Sequence, residues 1–221
     1  MDYNTVRVER RDGGWGSGWL LAQSGRPLVV TNRHVVDEHR GSFRIWFYRG
    51  STTAPVMVEG RLQRASENID LALIRLLDDA PASAQAHRLR TDTVIRRGEE
   101  VILGGNPAVR AGETTIPLPF QTTSGVITGH VNGESFTPCG ENRNCVVVDA
   151  ASLRGSSGGP AFDLQGNLVG MLWGGPQYSV RTLFGTAGYV QNATISYLIH
   201  TRTLATELRR FERESQRRRN N

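Results

Sequence analysis

The sequence predicts an all-β fold, two six-stranded antiparallel barrels followed by a C-terminal α-helix. Short apolar or alternating runs, punctuated by glycine, proline and polar clusters, recur through most of the chain, the pattern of a sandwich or barrel. About a dozen such runs are too many for one small barrel and suit two. Near the end the period changes: Tyr197, Leu204, Leu208 and Phe211 fall on one face of a 3.6-residue helix. A chain of 221 residues can bury a real core without the help of disulfides.

In order, strands are expected at Gly18–Gln23, Leu28–Thr31, Phe43–Tyr48, Val56–Arg64, Leu71–Leu76, Glu100–Leu103, Gly125–His130, Cys145–Asp149, Ala161–Leu164, Leu168–Trp173 and Gly188–Gln191. The first barrel spans about 14–80 and the second about 96–193 of one folded unit, with the helix over about 195–216. Between the barrels, Asp78–Gln85 and the polar residues up to Arg97 read as the crossing. Gly104-Gly105-Asn106-Pro107 and Gly112 mark turns that need no functional explanation. Pro117 and Pro119 exclude an interior strand at Ile116–Gln121, which reads as an exposed loop. Ile195, Leu198 and Ile199 make the first turns of the expected helix apolar all round, and so buried.

The net charge of +5 comes from 26 basic residues, every one arginine, against 21 acidic ones. Part of the excess sits in Arg209-Arg210, Arg213 and Arg217-Arg218-Arg219. Such a tail can bind nucleic acid or acidic membranes, but no nucleic-acid motif accompanies it, and a solvated end is the simpler reading. No apolar run approaches a membrane span. The first residues lack the charged-then-apolar layout of a secretory signal. A cytoplasmic location is therefore expected, with a secreted or periplasmic one if a targeting sequence has been removed. Cys139 and Cys145 could close a small loop, but free thiols are the expectation in a reducing compartment. No histidine stands beside them at ligand spacing, so neither a metal nor any other cofactor is inferred.

The residues that carry chemistry centre on Gly155-Ser156-Ser157-Gly158-Gly159-Pro160, preceded by Asp149-Ala150-Ala151. Glycines around Ser157 permit a sharp turn that presents its hydroxyl and leave no Cβ to crowd a carbonyl brought against the backbone N–H groups. A serine nucleophile needs a base and a group that orients the base. Upstream lie Thr31-Asn32-Arg33-His34-Val35-Val36 and Asn68-Ile69-Asp70-Leu71-Ala72-Leu73. Of five histidines, His34 alone follows an apolar strand in such a setting; His39 is the substitute if the turn is read out of register. Asp70 precedes a strand that looks buried on both sides, where an unpaired carboxylate would be costly, although an aspartate opening a strand is also a common turn residue. Asp78 and Asp79 are weaker alternatives.

In the order histidine, aspartate, serine, these motifs resemble the trypsin-like, chymotrypsin-fold serine peptidases, and within them most closely the bacterial HtrA/Deg branch. The resemblance runs from about Gly16 to Leu198. It implies a hydrolase with a catalytic triad of His34, Asp70 and Ser157, an oxyanion hole made by the Gly155 and Ser157 N–H groups, and a protein or peptide substrate laid in a cleft between the barrels. It also implies a specificity pocket shaped by Ala151 and by the Trp173, Gly174 and Gly175 segment, and a C-terminal helix packed on the second barrel.

Two departures from the family stand out. Ser156 replaces the aspartate that in digestive relatives pairs with a newly cut N-terminus, so that switch is not expected. Too little chain follows Gln191 for the PDZ domain usual in the HtrA branch, and none is expected. Ala151 stands where trypsin-type enzymes place an acid, which disfavours a basic P1 side chain and favours a small or medium apolar one. The alternatives are a protease fold kept only to bind peptides, and a protease domain of a larger signalling or defence protein that acts when an appended domain or regulatory partner responds.

Overall fold

A computed structural model describes residues 5–22, 27–36, 41–49, 53–89, 94–111, 114–132, 139, 144–175, 177–182, 185–191 and 194–220. The first barrel is built from β1 (Val6–Glu9), β2 (Trp15–Leu21), β3 (Leu28–Thr31), β4 (Ser42–Arg49), β5 (Thr53–Ala65) and β6 (Ala72–Leu76). They join in the order β1-β4-β5-β6-β3-β2, and β1 pairs with β2 to close the ring. Strict alternation explains β4, where Phe43, Ile45 and Phe47 point inward against Val6, Val29 and Ile74. A four-residue helix, α1 (Arg33–Val36), follows β3. A short strand, β7 (Ala86–His87), adds to β2 in parallel.

After the crossing come β8 (Glu100–Gly105), the hairpin strands β9 (Ala108–Ala111) and β10 (Thr114–Pro117), then β11 (Gln121–Asn132), β12 (Asn144–Val148), β13 (Pro160–Asp163), β14 (Leu168–Gly174), the hairpin strands β15 (Gln177–Thr182) and β16 (Gly185–Gln191), β17 (Ser196–His200) and the helix α2 (Thr201–Asn220). The second barrel closes in the order β11-β12-β17-β14-β13-β8. Two closed six-stranded antiparallel barrels and a C-terminal helix are the architecture the sequence predicts.

Five expectations need correction. The first barrel begins earlier than expected, with β1, whose Val6 and Val8 face the core while Arg7 and Glu9 bond to each other across the pleat. The expected strand at Gly188–Gln191 belongs to β16, which pairs with β15 outside the barrel. The sixth barrel strand is β17, read from sequence as the first turns of the helix. Residues apolar on every side are buried whichever period they follow, and here Val146 and Leu172 pair with Leu198 from both neighbours. Ile116 and Pro117 are exposed and outside the barrel, as expected, but lie on the strand β10, paired with β9, rather than in a loop. Finally, Cys139 and Cys145 form a disulfide with 5.7 Å between their α-carbons, where free thiols were expected. Both are fully buried, and chain-entropy arguments give so short a loop on the order of 2 kcal/mol. The thiol argument for a cytoplasmic location falls with that correction.

The two barrels share a core. Trp19, Val30, Ile69, Leu71 and Leu73 from the first pack in one cluster with Phe162, Met171 and Ile199 from the second and with Leu204 and Phe211 of α2. The helix also reaches back to the first barrel by polar contacts. Arg64 bonds to Glu214 and lies over the Phe211 ring. Ser66 and Asn68 bond to the buried carboxylate of Glu207, which Arg210 also holds. Burial pushes that carboxyl up, but these donors outweigh it and leave it below its ordinary value. The loop from Ser66 to Leu71 is thereby fixed from both sides, and it carries Asp70.

Candidate active site

His34 enters the site because β3 ends at Thr31 and α1 turns the chain at once. The Asn32 side chain donates to the Asp70 backbone carbonyl at 3.0 Å, tying the turn to the acid's own loop. Two further bonds join the pair. The His34 backbone N–H donates to Asp70 Oδ1 at 2.9 Å, and its ring Nδ1 meets Asp70 Oδ2 at 2.6 Å. With Nδ1–H given to the carboxylate, the lone pair is left on Nε2. The imidazole side chain is 46% exposed while that of Asp70 is 11% exposed, so the base faces solvent and the acid is enclosed behind it.

Burial alone would raise the Asp70 carboxyl. The ring bond from His34, its charge, its backbone N–H and the side-chain hydrogen bond from Trp173 together outweigh it, and hold Asp70 below its ordinary value. Trp173 also meets the His34 ring edge-on, with centroids 6.4 Å apart. Sequence reasoning assigned this residue to a pocket wall; its bond to the acid carries no local sequence signal. Next to it, a Cβ on Gly174 would stand 3.9 Å from Ser157 Oγ. The Trp173–Gly174 segment thus touches both the histidine–aspartate pair and the serine.

Ser157 lies on a loop pressed against the first barrel. Its carbonyl accepts the Ser17 N–H at 2.7 Å. A Cβ on the following Gly158 would come within 2.2 Å of the Ser17 carbonyl and 2.5 Å of Thr31 Oγ1, so only glycine fits there. The same position approaches the Asn32 N at 3.1 Å, two residues before His34. All three residues singled out by the motifs therefore border one seam between the barrels.

The turn before the serine has a defined hand. The Ser156 N–H donates to the Leu153 carbonyl at 3.0 Å, and Gly155, third in that turn, has a φ of +91°. These are the marks of a type II turn, which a residue with a Cβ strains. The Arg154 carbonyl accepts the Ala108 N–H at 2.6 Å, and the Ser156 carbonyl accepts the Gly159 N–H at 3.0 Å. A trans peptide points its N–H opposite its carbonyl, so the Gly155 and Ser157 N–H groups are turned away from those anchors. Among the described residues, neither has a protein partner. Two fixed, unpaired backbone donors on either side of a serine suit an oxygen that gains negative charge.

Ala151 is exposed and its carbonyl accepts the Thr123 hydroxyl; Gly175 is buried. Ser156, 7% exposed, packs against Gly105. Among the described residues no cluster of three metal-ligating side chains occurs. Among the described residues, no helix is long and apolar enough to cross a membrane.

Fold and motifs together define a trypsin-like serine peptidase domain, and the chain belongs to that family: the trypsin-like peptidase domain model matches residues 16–171. Its relatives are of the HtrA type. It is 30% identical over 166 residues to the serine protease Do-like HtrA of Bacillus subtilis, covering 74% of this chain and 34% of that protein. It is 29% identical over 157 residues to a probable periplasmic serine endoprotease, DegP-like, of Brucella suis, covering 71% of this chain and 26% of that protein. The chain thus spans about a third or less of the length of these relatives. In fold it is similar to the Rv3671c protease of Mycobacterium tuberculosis, crystallised in an inactive form, with a TM-score of 0.66 over 95% of this chain and 89% of that one at 19% identity. A cytoplasmic location finds no support among these relatives.

Proposed function

We propose that this domain is an endopeptidase acting on protein or peptide chains through an acyl-enzyme. The observation that carries the reading is the pair of hydrogen bonds between His34 and Asp70, which leaves Nε2 of a solvent-facing imidazole as the free base beside the serine loop. His34 takes the proton of the Ser157 hydroxyl as that oxygen attacks the peptide carbonyl, then delivers it to the departing amine. Asp70 keeps the tautomer and stabilises the imidazolium. The Gly155 and Ser157 N–H groups hold the oxyanion, each donor worth about 10²–10³ in rate by the measurements on related sites. Water, activated by the same histidine, then releases the acyl group.

Ala151 carries no charge to meet a basic side chain, which supports a small or medium apolar P1 residue. The buried disulfide suits an oxidising compartment, as does the periplasmic relative, and both support a location outside the cytoplasm. A fluorophosphonate probe tests the chemistry: wild type is expected to be labelled at one site and Ser157→Ala not at all. Labelling that persists in Ser157→Ala, or never occurs in wild type, removes Ser157 from its role.

A further inference from the structure

Ser17 is fully buried on β2, in the first barrel, yet three of its bonds reach the second. Its Oγ accepts the Asn106 N–H at 2.7 Å and donates to the Gly155 carbonyl at 2.7 Å. Its N–H donates to the Ser157 carbonyl at 2.7 Å, and its own carbonyl accepts the Thr31 hydroxyl at 2.7 Å. The directions are not free. A backbone N–H can only donate, so Asn106 fixes one lone pair of the hydroxyl, and the single hydroxyl proton must go to Gly155. Ser17 therefore grips the nucleophile loop on both sides of Ser156, at the carbonyls of Gly155 and Ser157.

We infer that Ser17 is a positioning residue that holds the Gly155 turn, and hence the backbone donors for the oxyanion, in register with the histidine-bearing barrel. This rests on the proposed role of the Gly155 and Ser157 N–H groups. The peptide before Gly155 is set by the Ala108–Arg154 bond, and the peptide after it by Ser17. With both planes fixed, the φ of Gly155 is fixed between them. Asn106 completes the seat: its carbonyl takes the Trp15 indole N–H at 3.1 Å, and a Cβ on Gly155 would lie 2.7 Å from that carbonyl and 2.8 Å from the indole nitrogen. The turn thus rests on a platform of Trp15 and Asn106 that Ser17 ties to the first barrel. Removing the hydroxyl strands a buried N–H at Asn106 and a carbonyl at Gly155. The turn relieves that loss by rotating, and the donors leave the place where charge develops.

The test uses an internally quenched peptide with an apolar P1 residue and a peptide boronic acid that mimics the tetrahedral state. Rates are counted per active site titrated with fluorophosphonate, so an unfolded fraction does not register. In Ser17→Ala, kcat is expected to fall about 10- to 100-fold, less than the loss of a whole donor, with KM little changed and boronate affinity falling in step with kcat. Ser17→Cys keeps the volume and weakens both bonds; it is expected to lie between, and carries the test should Ser17→Ala not fold. A kcat per titrated site and a boronate affinity both unchanged in these variants, or a loss confined to KM, would overturn the inference. Wild type that takes up no fluorophosphonate would instead sink the protease reading beneath it.

Discussion

In the first barrel, His34 and Asp70 are bonded to each other twice and to their own surroundings through Asn32, within a loop that α2 clasps from outside. In the second, Ser157 sits on a turn whose anchors come from elsewhere: Ala108 beside it, Asn106 at the end of β8, and Ser17 from the opposite barrel. The acid–base pair is held mostly within its own barrel, with Trp173 as its contact from the second. The nucleophile and its backbone donors are assembled by contacts across the seam, and so depend on how the barrels meet. Changes inside the first unit should alter proton transfer with the fold intact. Changes in the second should alter how well charge on the substrate oxygen is received.

The largest expected effect breaks the first unit. Asp70→Asn keeps the shape but offers the wrong hydrogen-bonding partner to Nδ1, and should lower kcat by about 10⁴ with the fold unchanged, the magnitude known for the trypsin-like template. Circular dichroism and a titrated rate check it; a loss below about tenfold would point to another acid. A smaller effect comes from Trp173, which belongs to the second barrel but serves the first. Trp173→Phe removes one donor from the Asp70 carboxylate and should cost about tenfold in kcat. It should also shift the acid limb of stability. A carboxyl held below its unfolded value adds stability that is present above that value and lost as pH falls through the folded one. Losing the indole bond raises the folded value, so Trp173→Phe should lose that increment at a higher pH than wild type. Acid titrations of both proteins followed by fluorescence-independent circular dichroism measure the shift; coincident curves would remove Trp173 from the acid's surroundings.

Much of the fold was legible because its signals are local. Alternation in Phe43-Arg44-Ile45-Trp46-Phe47 marks a strand with one face inside, and the flanking glycines and prolines mark its ends. Where locality fails, so did the reading. Ile195, Tyr197, Leu198 and Ile199 would put apolar side chains on both sides of a helix, and no period separates a buried strand from a buried helix there. The Cys139–Cys145 bridge depends on where the ends of β11 and β12 return, which spacing alone does not give. Ser157 stood out because a nucleophile's chemistry favours glycines around it, and His34 and Asp70 because a serine needs a base and an acid and their motifs resemble those of trypsin-like peptidases. Ser17, Asn106 and the indole of Trp173 carried no such mark. Ser17 and Gly155 are 138 positions apart, and Trp15 and Asn106 are 91 apart. Bonds of that reach leave nothing periodic in the chain. Asn106 even sits in a turn that sequence reasoning set aside as needing no function.

A crystal structure of the fluorophosphonate adduct would test the convergence of the two units most directly. Phosphorus is expected to be bonded to Ser157 Oγ, with one phosphoryl oxygen about 3 Å from both the Gly155 and Ser157 nitrogens, and His34 Nε2 facing the ester oxygen with Nδ1 still on Asp70. A phosphoryl oxygen turned away from those nitrogens, with the His34 ring parted from Asp70, would contradict that convergence.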